Sequence, residues 1–147
     1  MRDEDTPLKT ISMLSWPLTL LWTVILSVIV VSSAYAAPGS WSTQIPGLMV
    51  AMSDRSVASQ TVMPPSVANI QKGQLGRIQW QFQHPSDAQL NAWLCHPEQC
   101  VALSGMRGST TALAGQTAEA PLHFRFALRP GQRPVRVQGL QLIVNYQ

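Results

Sequence analysis

Three stretches of this chain alternate apolar and polar side chains with a period of two, the signature of an extended strand with one buried face. Leu122, Phe124, Phe126 and Leu128 alternate with His123, Arg125, Ala127 and Arg129. Ile78, Trp80 and Phe82 alternate with Arg77, Gln79, Gln81 and Gln83, and Leu140, Leu142, Val144 and Tyr146 alternate with Gln141, Ile143, Asn145 and Gln147. Weaker strand candidates lie at 48–52, 56–62, 89–95, 100–103 and 110–114. Turn signals separate them: Met63-Pro64-Pro65, Lys72-Gly73, His84-Pro85-Ser86-Asp87, the span 105–108 and Arg129-Pro130-Gly131. No segment longer than about ten residues carries a helical stripe. The chain is expected to be all-β, an antiparallel β-sandwich of about seven to nine short strands, with a barrel as the other way of closing such a set. A C-terminal strand commonly lies at a sheet edge, where its backbone is free to pair with another protein or is simply protected; the sequence leaves both open.

The two cysteines stand five residues apart in Cys95-His96-Pro97-Glu98-Gln99-Cys100, flanked by Trp93-Leu94 and Val101-Ala102-Leu103. That spacing suits two antiparallel strands joined by a tight turn and clipped by a disulfide. Zinc needs four ligands, and only His96 is near enough to add one. Redox-active pairs usually have two intervening residues at a helix start, not four in a hairpin. Closing so short a loop stabilises by about 2 kcal/mol in the chain-entropy model, so the bond fixes register more than it holds the fold.

A disulfide requires an oxidising compartment, and the N-terminus bears on that. Leu18 to Val31 is a nearly unbroken apolar run ending in Ser32-Ser33-Ala34-Tyr35-Ala36-Ala37, an A-x-A cleavage pattern. Residues 1–36 are therefore expected to be a signal peptide cut between Ala36 and Ala37, and 37–147 a single domain in the periplasm. The run is shorter than the about 20 apolar residues of a bilayer span, so no stable membrane anchor remains if the signal is cleaved. Arg2 and Lys9 are outweighed by Asp3, Glu4 and Asp5, unlike the basic start of most export signals. Met13 is an alternative start that removes the acidic residues without adding a basic one, and an uncleaved anchor is the other reading; either way the body of the chain is exported.

From Ala37 onward the basic side chains are Lys72 and the arginines Arg55, Arg77, Arg107, Arg125, Arg129, Arg133 and Arg136, against the carboxylates Asp54, Asp87, Glu98 and Glu119. A basic balance favours anionic partners without specifying one. No basic block with interleaved aromatics occurs, so nucleic-acid binding is set aside. Four scattered carboxylates do not make a facing acid pair. His84, His96 and His123 each have a structural explanation, and neither a shared metal site nor a Gly-x-Ser-x-Gly elbow is indicated. The chain is expected to be no enzyme and to need no cofactor or metal.

Candidate binding residues come from the outward positions. His123, Arg125 and Arg129 share one strand face, and Arg77 faces outward on another strand; were those strands neighbours, the arginines would form a patch for carboxylates or phosphates. Trp93 is out of phase with Leu90, Ala92 and Leu94, so it points away from the core. An exposed Trp can stack on a sugar or anchor a protein interface, and a covering loop is the duller alternative. Peptidoglycan is the glycan such a site would meet in the periplasm.

The same residues resemble a known family. Trp41, Ile78-Gln79-Trp80, Leu94-Cys95, Cys100-Val101-Ala102-Leu103, Gly108-Ser109-Thr110-Thr111, Ala120-Pro121-Leu122-His123-Phe124 and Ile143-Val144-Asn145-Tyr146 together look like the FlhE family of small exported flagellar proteins of Gram-negative bacteria. The resemblance spans nearly all of 37–147. It implies a β-sandwich without catalytic motif, with Cys95 and Cys100 as a structural disulfide. It further implies a periplasmic accessory factor of flagellar assembly that contacts a rod, hook or export-apparatus protein. The family is linked to limiting proton leakage through the export apparatus and to chaperone-like control of assembly.

Overall fold

The computed structural model describes residues 38–68 and 70–147; the expected leader at 1–36 lies outside the described residues. Nine strands follow one another: β1 (Gly39–Ile45), β2 (Leu48–Val50), β3 (Val57–Ala58), β4 (Leu75–Gln83), β5 (Leu90–His96), β6 (Gln99–Leu103), β7 (Arg107–Thr110), β8 (His123–Leu128) and β9 (Val135–Tyr146). Sheet 1 runs β1-β9-β4-β7, with β2 also paired to β9, and sheet 2 runs β3-β8-β5-β6. Every pairing is antiparallel. The expected β-sandwich is the fold that forms, and no helix occurs among the described residues.

Apolar side chains at alternate positions of both sheets meet in one core. Ile78, Trp80 and Phe82 of β4 point inward with Leu140, Leu142 and Val144 of β9, against Phe124 and Phe126 of β8 and Leu94 of β5. Phe82 locks the two layers: its ring meets those of Phe124 and Phe126 edge-on at 6.1 and 5.2 Å.

Two bulges keep this alternation in phase. Between Gln81↔Gln141 and Gln83↔Gln138, β9 carries one residue more than β4, and the surplus falls at Gly139 with φ +62°. Gln138 and Gly139 are both exposed, after which Leu140 points inward again. Between Leu75↔Tyr146 and Ile78↔Val144 the surplus residue is on β4 instead. Gly76 and Arg77 fill that step, so Leu75 and Ile78 are both buried.

Three expectations need correction. The C-terminal strand is not an edge: β9 lies between β1 and β4 and is the longest strand of the molecule. Its apolar inner face explains the placement, since Val135, Val137, Leu140, Leu142 and Val144 are all buried. The expected strand at 110–114 and turn at 105–108 are displaced, because the strand is Arg107–Thr110 and turns follow it. Gly108 reads as a turn residue but serves as a floor for Trp80, its cross-strand partner, whose ring would lie 2.5 Å from any added Cβ. Finally, β1 is a full strand that the alternation did not single out.

The segment after β7 closes one end of the sandwich. Leu113 and Ala118 enter the core while Gly115 N–H donates to the Leu75 carbonyl and Leu75 N–H donates to that of Gln116. The β5–β6 hairpin holds this segment from the other sheet. His96 is buried; its Nδ1 accepts from Glu98 N–H at 3.2 Å, so its Nε2–H donates to the Thr117 carbonyl at 3.1 Å.

Candidate functional site

The outer face of sheet 2 collects four of the five residues the sequence marks for binding. Across the strands the register places Ala58 of β3, Arg125 of β8, Trp93 of β5 and Ala102 of β6 in one row. In the next row His123 lies opposite Cys95, which is bonded to Cys100 across the hairpin. On the other side of Trp93 the row is Ala127 and Asn91. Trp93 thus stands half-buried among alanines and a disulfide, on a surface low enough for a flat ligand or a partner side chain to reach its ring.

Arg129 follows β8, and its Nε donates to Asn91 Oδ1 at 3.4 Å, which ties the guanidinium to the same face. Asn91 was missed by the sequence reading, although period two from Trp93 was enough to place it. The outward positions of the four strands include one cation, Arg125, and no carboxylate, and Arg129 adds a second cation just past β8. His123 is half-buried, and its pKa is lowered from 6.5, first by desolvation and then by the neighbouring Arg125 charge. The site therefore holds its positive charge on the arginines and keeps the imidazole neutral at neutral pH.

Arg77 is elsewhere. It lies on β4 in sheet 1, with its carbonyl accepting from Asn145 Nδ2 at 3.0 Å, so β4 and β8 are not neighbours and the arginines form no common patch. The face around Arg77 is lined by the amides Gln79, Gln81, Gln141 and Asn145 with Ile143, and a second arginine, Arg107, lies opposite Gln81 on it. Trp41, the first of the residues that carry the family resemblance, is 6% exposed inside the core. The disulfide is present at the expected pair, with Cys95 buried and Cys100 exposed.

Among the described residues no three of His, Cys, Asp and Glu gather as a metal site, and the three histidines lie in separate places: a turn, the core and an outer face. A tryptophan ring with flanking guanidinium groups is suited to recognition, through stacking and through hydrogen bonds to anionic or carbonyl oxygens.

Known proteins bear on what would be recognised. The family model described as flagellar protein FlhE matches residues 47–147. The flagellar protein FlhE of Escherichia coli (strain K12) is 31% identical over 117 residues, covering 76% of this chain and 88% of that protein. The Yersinia enterocolitica protein of the same name is 28% identical over 116 residues, covering 76% and 83%. A crystal structure of FlhE superposes with a TM-score of 0.65 at 28% identity, covering 76% of this chain and 99% of that one. With the sandwich, the disulfide-clipped hairpin and a matching family model over most of its length, this chain belongs to the FlhE family of flagellar proteins.

Proposed function

We propose that this protein is a non-enzymatic periplasmic accessory factor that regulates or chaperones flagellar assembly and limits proton leakage through the flagellar export apparatus. It acts by binding a rod, hook or export-apparatus protein on the outer face of sheet 2. The observation that carries this reading is the Trp93–Arg125 face, a recognition surface without catalytic groups on a member of a flagellar family. Signal-peptide cleavage after Ala36 places the domain in the periplasm, where the Cys95–Cys100 bond persists. The test is crosslinking in cells with a photoreactive group introduced beside Trp93, together with a deletion strain. Capture of a flagellar component, with altered flagellation or proton leakage on deletion, is the expected result. No flagellar capture and no phenotype would sink the idea.

A second reading is favoured by the same half-buried tryptophan among alanines: a glycan module whose ligand is peptidoglycan, with Trp93 as platform and Arg125 and Arg129 on its carboxylates. A pull-down on purified cell wall separates the two. Retention that disappears in Trp93→Ala combined with Arg125→Ala supports the glycan site, and retention that survives excludes it.

A further inference from the structure

The sandwich has four edges among the described residues, and they are not equally guarded. The β7 edge is four residues long and carries Arg107. The β3 edge is two residues long and breaks off at Ser59, whose hydroxyl rather than a backbone carbonyl accepts from Phe124 N–H at 2.9 Å. The β6 edge is crossed at its start, where Gln99 Nε2 donates to the Ala112 carbonyl at 2.8 Å. The β1 edge has none of these protections. Its seven residues, Gly-Ser-Trp-Ser-Thr-Gln-Ile, contain no charge and no proline until Pro46 ends the strand. Its register with β9 is unbroken from Gly39↔Tyr146 to Ile45↔Leu140, so no bulge interrupts the edge over that whole length. Among the described residues β9 is its single hydrogen-bonded neighbour, which leaves the other side's N–H and C=O groups open.

The β1 sequence is also compatible with itself. An antiparallel copy related by a two-fold axis through Ser42 sets Ser42 opposite Ser42, Trp41 opposite Thr43, Ser40 opposite Gln44 and Gly39 opposite Ile45. Outward-facing Ser40, Ser42 and Gln44 then meet small or hydrogen-bonding side chains, and on the inner side an aromatic meets a β-branched residue, a favourable cross-strand pair. No like charges face each other. Two-fold pairing is the commonest symmetry of homo-oligomers.

We propose that β1 pairs antiparallel with β1 of a second copy about a two-fold axis through Ser42, joining sheet 1 of both molecules into one continuous sheet. Two strands of this length bury less than the roughly 1,200–2,000 Å² of a standard stable interface, so the dimer is reversible and depends on concentration. The outer face of sheet 2 takes no part in it and remains available to other partners.

The register makes the test specific. Cys95 and Cys100 are bonded to each other, so a cysteine introduced into the exported, purified protein is its sole free thiol among the described residues. In Ser42→Cys the two thiols face each other across the axis. In Ser40→Cys they are offset by four residues, about 13 Å along the strands. Under mild oxidation Ser42→Cys is expected to form a covalent dimer about tenfold faster than Ser40→Cys, because a disulfide tolerates only short Cα separations. Sedimentation of the unmodified protein is expected to show a dimer at high concentration, and Ser42→Lys, which sets two ammonium groups together, is expected to be monomeric with an unchanged unfolding midpoint. Equal crosslinking of the two cysteine variants, or a Ser42→Lys protein that sediments like the parent, overturns the proposal.

Discussion

His123 shows how one side chain reports on a surface. Its ring sits on the outer face of sheet 2 beside Arg125, and both burial and that positive neighbour disfavour its protonated form. Its folded pKa therefore lies below the 6.5 of the unfolded chain. Between those two values the unfolded state binds the extra proton, so stability rises with pH there. His123 contributes its full share above about 6.5 and loses it progressively as pH falls towards the lowered folded value. The expected outcome for His123→Gln is a flatter stability profile on the acid side of neutrality. Urea unfolding of parent and variant from neutral pH downward measures it: the gap between them changes below about pH 6.5 and is constant above it. Arg125→Ala is expected to bring a smaller change in the same direction, since it removes the secondary cause and leaves the burial.

At the scale of elements, the β5–β6 hairpin is the unit that the sequence described best, and its clip has a calculable worth. Replacing both Cys95 and Cys100 by Ala opens a loop closed over a sequence separation of 5, costing about 2 kcal/mol in the chain-entropy model. For a domain of this size that is a fall in Tm on the order of 10 °C, measurable by calorimetry. The hairpin was legible because strand pattern, turn and cysteine spacing all point to one register. Other elements were less so. Period two is readable only while it is unbroken, and the bulges at Gly76-Arg77 and at Gly139 shift the phase. Leu75, Val135 and Val137 therefore fell outside the strands read from the sequence although all three are buried. The short β7 was misplaced because Gly108 resembles a turn residue, while the reason for it is Trp80, 28 residues away in sequence (108 − 80). No local pattern carries that information. Of the candidate site, the facing of Trp93, His123 and Arg125 followed from alternation, whereas the exclusion of Arg77 required knowing which strands share a sheet.

For the molecule as a whole, the sandwich presents two outer faces of different chemistry, separated by two sheets packed about 10 Å apart. One carries Trp93, Arg125, Arg129 and His123 around a disulfide; the other carries amide side chains with Arg77, Arg107 and Arg136 and, among the described residues, has no tryptophan on it. A rigid partner that seats on the first face does not reach the second, so function should follow one face and not the total positive charge. Trp93→Ala with Arg125→Ala removes the platform and one cation from sheet 2. Arg77→Ala with Gln79→Ala removes one cation from sheet 1, so each pair lowers the net charge by the same one unit. The Arg77 and Gln79 side chains are exposed, and substitutions of that kind usually change stability by no more than about 0.5 kcal/mol. The half-buried Trp93 costs somewhat more, so each pair's unfolding midpoint is measured alongside its activity. In cells, the Trp93/Arg125 pair is expected to abolish crosslinking to the flagellar component and to reproduce the deletion phenotype, while the Arg77/Gln79 pair retains both capture and function. Equal loss in the two would mean that charge alone attracts the partner, and loss confined to the Arg77 pair would move the binding surface to sheet 1.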